Sequence, residues 1–367
     1  MTQKVLILGG QGRIGASVAA DLRRHLPTAA VTVTGRSPRR PLPQGGEFLA
    51  LDLADTAAVA AAIGRHDLVI HCAGPFSYRD QQVLDSCLAQ GVNYLDVADN
   101  PDYVRAALTR HDQAQAAGVT AIASTGVFPG LSNSLVRQGV ETLDRTDEIH
   151  LSYIVAGSGG AGVTVMRTTF LELQHPFPAW IDGQWQTIQP YSQRTAIQLP
   201  PPYGNCGVYW FNTVEAMTLA DSFPVQTVVT KFGSVPDLYN RLTWLMAHGL
   251  PKSWLRQPRV VEGLAQISYA MTQVSDRVSG VGIAMAARLV GQHQGQPCEY
   301  EATFVHDDTA VAAGWGTGSI AQALLTGWHN PGVWPVERGW PTDQLLATLA
   351  QRGGNITAHL KPCKVGS

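Results

Sequence analysis

The stretch Val5-Leu6-Ile7-Leu8-Gly9-Gly10-Gln11-Gly12-Arg13-Ile14-Gly15 decides how the first third of this chain folds. Four apolar residues run straight into a G-x-G-x-x-G, Gly10 to Gly15, and an alanine- and leucine-rich stretch, Ile14 to Leu26, follows it. Strand, tight glycine turn and helix in that order make a phosphate-binding unit. The first glycine permits the turn, the second lets backbone approach a pyrophosphate, and the third lets helix pack on strand. Backbone N–H groups at the helix start then face the phosphate charge.

Working outward, short β-branched or apolar runs alternate with helix-like stretches to about residue 125, the rhythm of a doubly wound parallel sheet. Expected strands are Val5–Leu8, Ala30–Thr34, Phe48–Leu51, Leu68–Cys72, Tyr94–Val97 and Val119–Ala123. Six strands is the full Rossmann complement. At the end of the second stands Thr34-Gly35-Arg36-Ser37, about twenty residues past the last motif glycine, where an NAD site carries an acid for the ribose 2′-hydroxyl. The acid is absent. Arg36 offers a planar fork for a 2′-phosphate, Ser37 adds a hydroxyl and Arg13 a second cation, so the expected cofactor is NADP(H). Asp52, with Leu53 after it, either meets an adenine amino group or caps the next helix. Ala73-Gly74-Pro75-Phe76 follows the fourth strand and is expected to lie against the cofactor ribose.

After Thr125 the rhythm breaks at Gly126-Val127-Phe128-Pro129-Gly130, and a different domain is expected. Its strand candidates are Ile149–Ala156, Val225–Lys231 and Cys298–Val305, and the proline- and tryptophan-rich stretch from His175 to Phe211 reads as long ordered loops or lid segments.

With 26 basic and 28 acidic side chains the formal charge is -2, which gives no footprint for nucleic acid. Five widely spaced cysteines, without a C-x-x-C pair, argue against a disulfide framework or zinc knuckle and fit a reducing cytoplasm. The apolar run at the N-terminus is too short for a signal peptide, and nothing approaches the ~20 apolar residues of a membrane helix.

The motif residues together resemble the saccharopine dehydrogenase-like family of NADP-binding oxidoreductases. The resemblance rests on Gly9 to Gly15, Thr34-Gly35-Arg36, Leu51-Asp52-Leu53 and Val69-Ile70-His71-Cys72-Ala73-Gly74-Pro75-Phe76. It extends to Gly91-Val92-Asn93-Tyr94-Leu95-Asp96, to the turn with Gly126, Pro129 and Gly130, and to Gly332-Val333-Trp334-Pro335-Val336-Glu337 near the C-terminus. It is strong over 1–135, moderate over 298–353 and slight between. It implies an α/β protein in which a second α+β domain, about 134–307, is inserted before a C-terminal segment that returns to a Rossmann domain of 1–133 with about 308–360. It implies hydride transfer with NADP(H) and leaves the substrate unnamed.

Other chemistries lack their residues. Tyr153 is followed four residues on by Gly157, not the lysine of a short-chain dehydrogenase, and the histidines show no H-E-x-x-H, so no metal is expected. Candidates remain at strand carboxyl ends, where open α/β sheets bind ligands. Tyr94 and Asp96 are candidate proton donors; equally, Asp96 can cap the helix near Pro101 and Tyr94 can pack in the sheet. Tyr78, Phe128, Asn133 and Arg167 are candidate substrate contacts. Trp180, Trp185, Trp210, Trp244 and Trp254 suggest a pocket for a hydrophobic carbonyl or enone. Residues 239–259, basic and apolar without an acid, suit either a membrane-surface segment or a packed helix pair with snorkelling arginines. Rival expectations are an opine- or polyamine-type dehydrogenase acting on a C–N bond, and an NADP(H)-binding regulator or assembly factor without turnover. A homodimer is expected.

Overall fold

The computed structural model describes residues 2–38, 46–159, 162–255 and 257–362. It divides into two compact units, Met1–Leu131 with Ala310–Arg352 and Ser132–Thr309 with Gly353–Ser367. The first opens with β1 (Lys4–Leu8), α1 (Arg13–His25), β2 (Ala30–Gly35), β3 (Glu47–Ala50), α2 (Thr56–Ile63) and β4 (Leu68–His71). It continues with α3 (Gln82–Gln90), β5 (Asn93–Asp96), α4 (Pro101–Leu108), α5 (His111–Ala116) and β6 (Thr120–Ala123). The second holds α6 (Leu131–Thr142), β7 (Arg145–Ala156), α7 (Val163–Glu172), β8 (Phe177–Ile181), β9 (Gln184–Ile188), β10 (Thr195–Leu199) and β11 (Gly204–Trp210). There follow α8 (Val214–Ser222), β12 (Thr227–Val235), α9 (Asp237–Gly249), α10 (Lys252–Leu255), α11 (Pro258–Ser279), β13 (Gly282–His293) and β14 (Gln296–His306). The chain re-enters the first unit with α12 (Thr309–Leu325), β15 (Gly332–Pro335), α13 (Val336–Gly339) and α14 (Thr342–Gln351), and β16 (Ile356–Pro362) closes it.

The first unit's sheet runs β15-β6-β5-β4-β1-β2-β3, and every pairing in it is parallel. Val5, Leu6, Ile7 and Leu8 are wholly buried, as expected of a central strand covered on both faces. Val18, Ala19 and Leu22 give α1 its buried face, while Asn100 caps α4 by accepting from the Tyr103 N–H, with Pro101 behind it. The returning segment adds β15 beside β6 as a seventh strand. Between α1 and the residue closing α14, Asp21 and Arg352 form a buried ion pair at 2.9–3.1 Å.

The second unit's mixed sheet runs β10-β11-β12-β7-β13-β14-β16. β7 lies parallel to β12 and antiparallel to β13. Two corrections follow. The stretch from His175 to Phe211, read as loops, contains four strands; β8 and β9 are joined at Asp182-Gly183, both with positive φ, the conformation a two-residue hairpin turn requires. Residues 353–360, expected with the Rossmann domain, instead carry most of β16, which pairs with β14.

Candidate functional site

The glycine loop is closed in on every side. Gly9 has φ +74°, and a Cβ there would stand 2.9 Å from the Ala73 backbone; one on Gly15 would stand 2.6 Å from the Gly9 carbonyl oxygen. Gly12 N–H donates to the Gly9 carbonyl at 2.8 Å, Gly9 N–H to the Thr34 hydroxyl at 3.2 Å and Gln11 N–H to the Thr34 carbonyl at 3.3 Å. This ties the loop to the end of β2. Helix α1 then begins after Gly12 with no side-chain cap. The first-turn N–H groups of α1, at the carboxyl edge of a parallel sheet, form with the glycine loop a cradle that fits a pyrophosphate. Arg36 and Ser37 follow β2 directly and are exposed.

Across β1, the turn after β4 is held by Arg79, whose Nε donates to the Ala73 carbonyl at 2.8 Å. Ala73, Gly74 and Pro75 are half-buried beside the glycine loop. Phe76 departs from its expected contact with the cofactor: it is buried, with its ring 5.0 Å from those of His71 and Tyr103. Asp52 is exposed and accepts from the Ala54 N–H at 3.1 Å, while the cap of α2 is Asp55. Leu53 packs against the apolar core beneath.

At the end of β5, Asp96 is fully buried. Its Oδ1 accepts from the N–H groups of Ser124, at 2.7 Å, and Ala98, at 2.9 Å, and its Oδ2 has no hydrogen-bond partner. Burial outweighs the two N–H donors and lifts its carboxyl to about 6. The Asp96 carbonyl accepts from Thr125 through both N–H and hydroxyl at 2.8 Å, which fixes the corner between β5 and β6. Tyr94 is buried too, its hydroxyl 3.0 Å from that of Tyr103, and burial raises its pKa well above the ordinary phenol value. It supports the acid from within the sheet. His71, level with Asp96 on the adjacent strand, is buried with its Nε2 unpartnered; burial first, then Arg79, pushes it down to about 3, so it stays neutral. Nothing in the sequence reading singled out His71.

The substrate candidates separate. Tyr78 is 61% exposed on the turn after β4. Phe128 is half-buried after β6, before a cis bond to Pro129. Asn133 is buried in the second unit, where its amide donates to the Thr218 hydroxyl at 3.3 Å beside a Ser132–Glu215 hydrogen bond of 2.7 Å. Arg167 is engaged by Glu262 through two bonds, at 2.5 and 2.9 Å. The tryptophans are spread over several elements and are engaged separately. Trp180 donates to the Val225 carbonyl and packs edge-on against Trp185, Trp210 donates to Gln193, and Trp244 and Trp254 are about half exposed.

Residues 239–259 fold as α9, α10 and the start of α11, with Ala247, Leu255 and Val261 buried in one cluster. Arg256 lies outside the described residues. No helix among the described residues is long and apolar enough to cross a membrane, and none of their acid, histidine and cysteine side chains gather as a metal site.

Comparison with known proteins agrees with this geometry. The family described as saccharopine dehydrogenase NADP binding domain matches residues 5–122. Carboxyaminopropylagmatine dehydrogenase of Synechocystis is 29% identical over 339 residues, 83% of this chain and 82% of that protein. A probable mitochondrial saccharopine dehydrogenase-like oxidoreductase of Arabidopsis thaliana is 25% identical over 141 residues, 33% of this chain and only 31% of its own length. Among solved structures, apo saccharopine dehydrogenase (L-Glu forming) of Saccharomyces cerevisiae superposes with a TM-score of 0.69 at 14% identity, over 98% of this chain and 100% of that one, a likeness of fold. The matched model and the cradle that carries it make residues 5–122 a saccharopine dehydrogenase-type NADP-binding domain, and the chain an NADP-dependent oxidoreductase.

Proposed function

We propose that the enzyme makes or breaks a C–N bond in a carboxylated amine, with Asp96 as the proton-holding group. The single observation that carries this is Asp96 itself: a carboxyl poised at about 6, anchored by two N–H groups with one oxygen unengaged, at the carboxyl end of a central strand. Gly9 to Gly15 would hold the pyrophosphate and Arg36 with Ser37 the 2′-phosphate. The bound nicotinamide supplies or accepts the hydride. In the reductive direction a carbonyl and an amine, with one hydride and one proton, give a secondary amine and water. The carbonyl oxygen must be protonated to leave, and an acid near 6 serves that purpose at neutral pH. The Synechocystis relative, similar over most of both chains, bears a name of this substrate class. The dispersal of the tryptophans removes the main support for a hydrophobic ketone or enone.

The test is loss of reduced-nicotinamide absorbance with carbonyl compounds, diamines, and the two together. Oxidation that requires both partners is expected. Equal oxidation of a simple ketone or enone without any amine would overturn the proposal.

A further inference from the structure

Register places Lys231, Ser152 and Ala286 side by side on β12, β7 and β13, and in the next row Val229, His150 and Arg288. Residues two apart on a strand share a face, so both rows project from the same side of the second unit's sheet. Together they line a cavity of about 520 Å³, within the range of small-molecule sites.

Most of the charges around it are already matched. Arg288 grips Glu299 with bonds of 3.0 and 2.5 Å, His150 meets Glu148 at 2.8 Å, and Lys361 meets Glu301 at 2.5 Å. Lys231 is different. Only 8% of it is exposed, and its Nζ donates to two uncharged acceptors, the Gln193 carbonyl at 2.8 Å and the Thr195 hydroxyl at 2.5 Å. The ammonium also lies 5.5 Å from the centre of the Trp210 ring. Among the described residues no carboxylate forms an ion pair with it. Burial lowers its proton affinity below the ordinary lysine range. A buried cation held by neutral groups is expensive to maintain, and an ammonium has three protons to donate, one more than the carbonyl and hydroxyl take up.

We propose that this cavity binds a small anion bearing a carboxylate or phosphate group, with Lys231 as its charge partner and the Ser152 hydroxyl and Gln198 amide, both in the lining, as hydrogen-bonding groups. The site lies wholly within the second unit, and its occupancy is read by binding, so it stands or falls separately from the hydride chemistry.

The full chain would be titrated with inorganic phosphate and with succinate at matched ionic strength, following heat and thermal midpoint. Wild type and Lys231→Arg are expected to show a saturable response to at least one anion, phosphate marking a free-phosphate site and succinate a carboxylate site. Lys231→Met removes a charge-assisted bond and is expected to weaken binding by about tenfold or more. Without anion it should melt no lower than wild type, since it sheds an uncompensated buried charge. Ala286→Leu, which fills the cavity and leaves the Lys231 bonds in place, should abolish the response if Lys231→Met does not fold. Equal responses in wild type and both variants would show general salt exclusion and overturn the proposal; so would no response in wild type.

Discussion

Replacing Asp96 by Asn separates the acid from its anchoring. Oδ1 survives as an amide oxygen, so the Ser124 and Ala98 N–H groups keep their acceptor, while the unpartnered Oδ2 becomes an NH2 that cannot ionise. A carboxyl at about 6 in the folded protein, against an ordinary 3.8, makes ionisation cost the folded state about 3 kcal/mol. Between these values the native state holds the proton more tightly than the unfolded chain, so the wild type loses this stability as pH rises from below 3.8 through 6. The buried amide donor costs about 1–3 kcal/mol at every pH, which drops out of the pH dependence. In urea titrations, the stability of Asp96→Asn minus that of wild type should climb by about 2 kcal/mol from pH 4 to 7 and then level off. All other titrating groups cancel in this difference. If Asp96 also holds the proton of turnover, kcat/KM in wild type shows a limb near 6 that the variant lacks. A difference in stability that stays flat with pH would refute the reasoning about burial.

Two further outcomes follow from the first unit. Arg36→Asp replaces the fork after β2 with an acid suited to a ribose hydroxyl, so the ratio of kcat/KM for NADPH over NADH should fall by about tenfold or more; an unchanged ratio removes Arg36 from the site. Arg352→Met leaves the buried Asp21 carboxylate with only His25, 3.8 Å away, within ion-pair distance among the described residues and should cost about 3–5 kcal/mol in urea unfolding, most of it recovered when Asp21→Leu is added; a small loss with no recovery would show that the pair is dispensable.

The nucleotide domain was legible because each of its features is local. The apolar run Val5 to Leu8, the glycines after it and Arg36 all lie within one βαβ unit, where spacing alone fixes position. The second unit was less so. Asp182-Gly183 is a hairpin signal between Phe177–Ile181 and Gln184–Ile188, but Pro176, Pro178 and the tryptophans around it suggested loops. β16 pairs with β14 across more than fifty residues of chain, a partnership no local pattern reveals. The ion pair of Asp21 with Arg352 spans most of the sequence and has no signature at either end. Arg167 had the right chemistry for a substrate carboxylate, but Glu262, distant in sequence, takes it up.

Asp96 shows how such long-range placement makes chemistry from ordinary residues. Asn93-Tyr94-Leu95-Asp96 reads as a strand ending in an acid, and an acid there is as ready to cap a helix as to carry a proton. What decides between them is the company folding brings. Asn100, not Asp96, caps α4, which frees the Asp96 carboxyl from that task. Phe76 packs with its ring 5.0 Å from those of His71 and Tyr103, and Tyr94 turns its hydroxyl to Tyr103. His71, the natural cation to hold an ionised Asp96, is itself kept neutral by burial. With no positive charge supplied from within this shell, the proton affinity of Asp96 is set first by desolvation, opposed by the Ser124 and Ala98 N–H groups and the Tyr94 hydroxyl and reinforced by the Asp99 charge. The aromatic residues thus act on the acid by excluding both water and countercharge, and Tyr94 belongs to that shell.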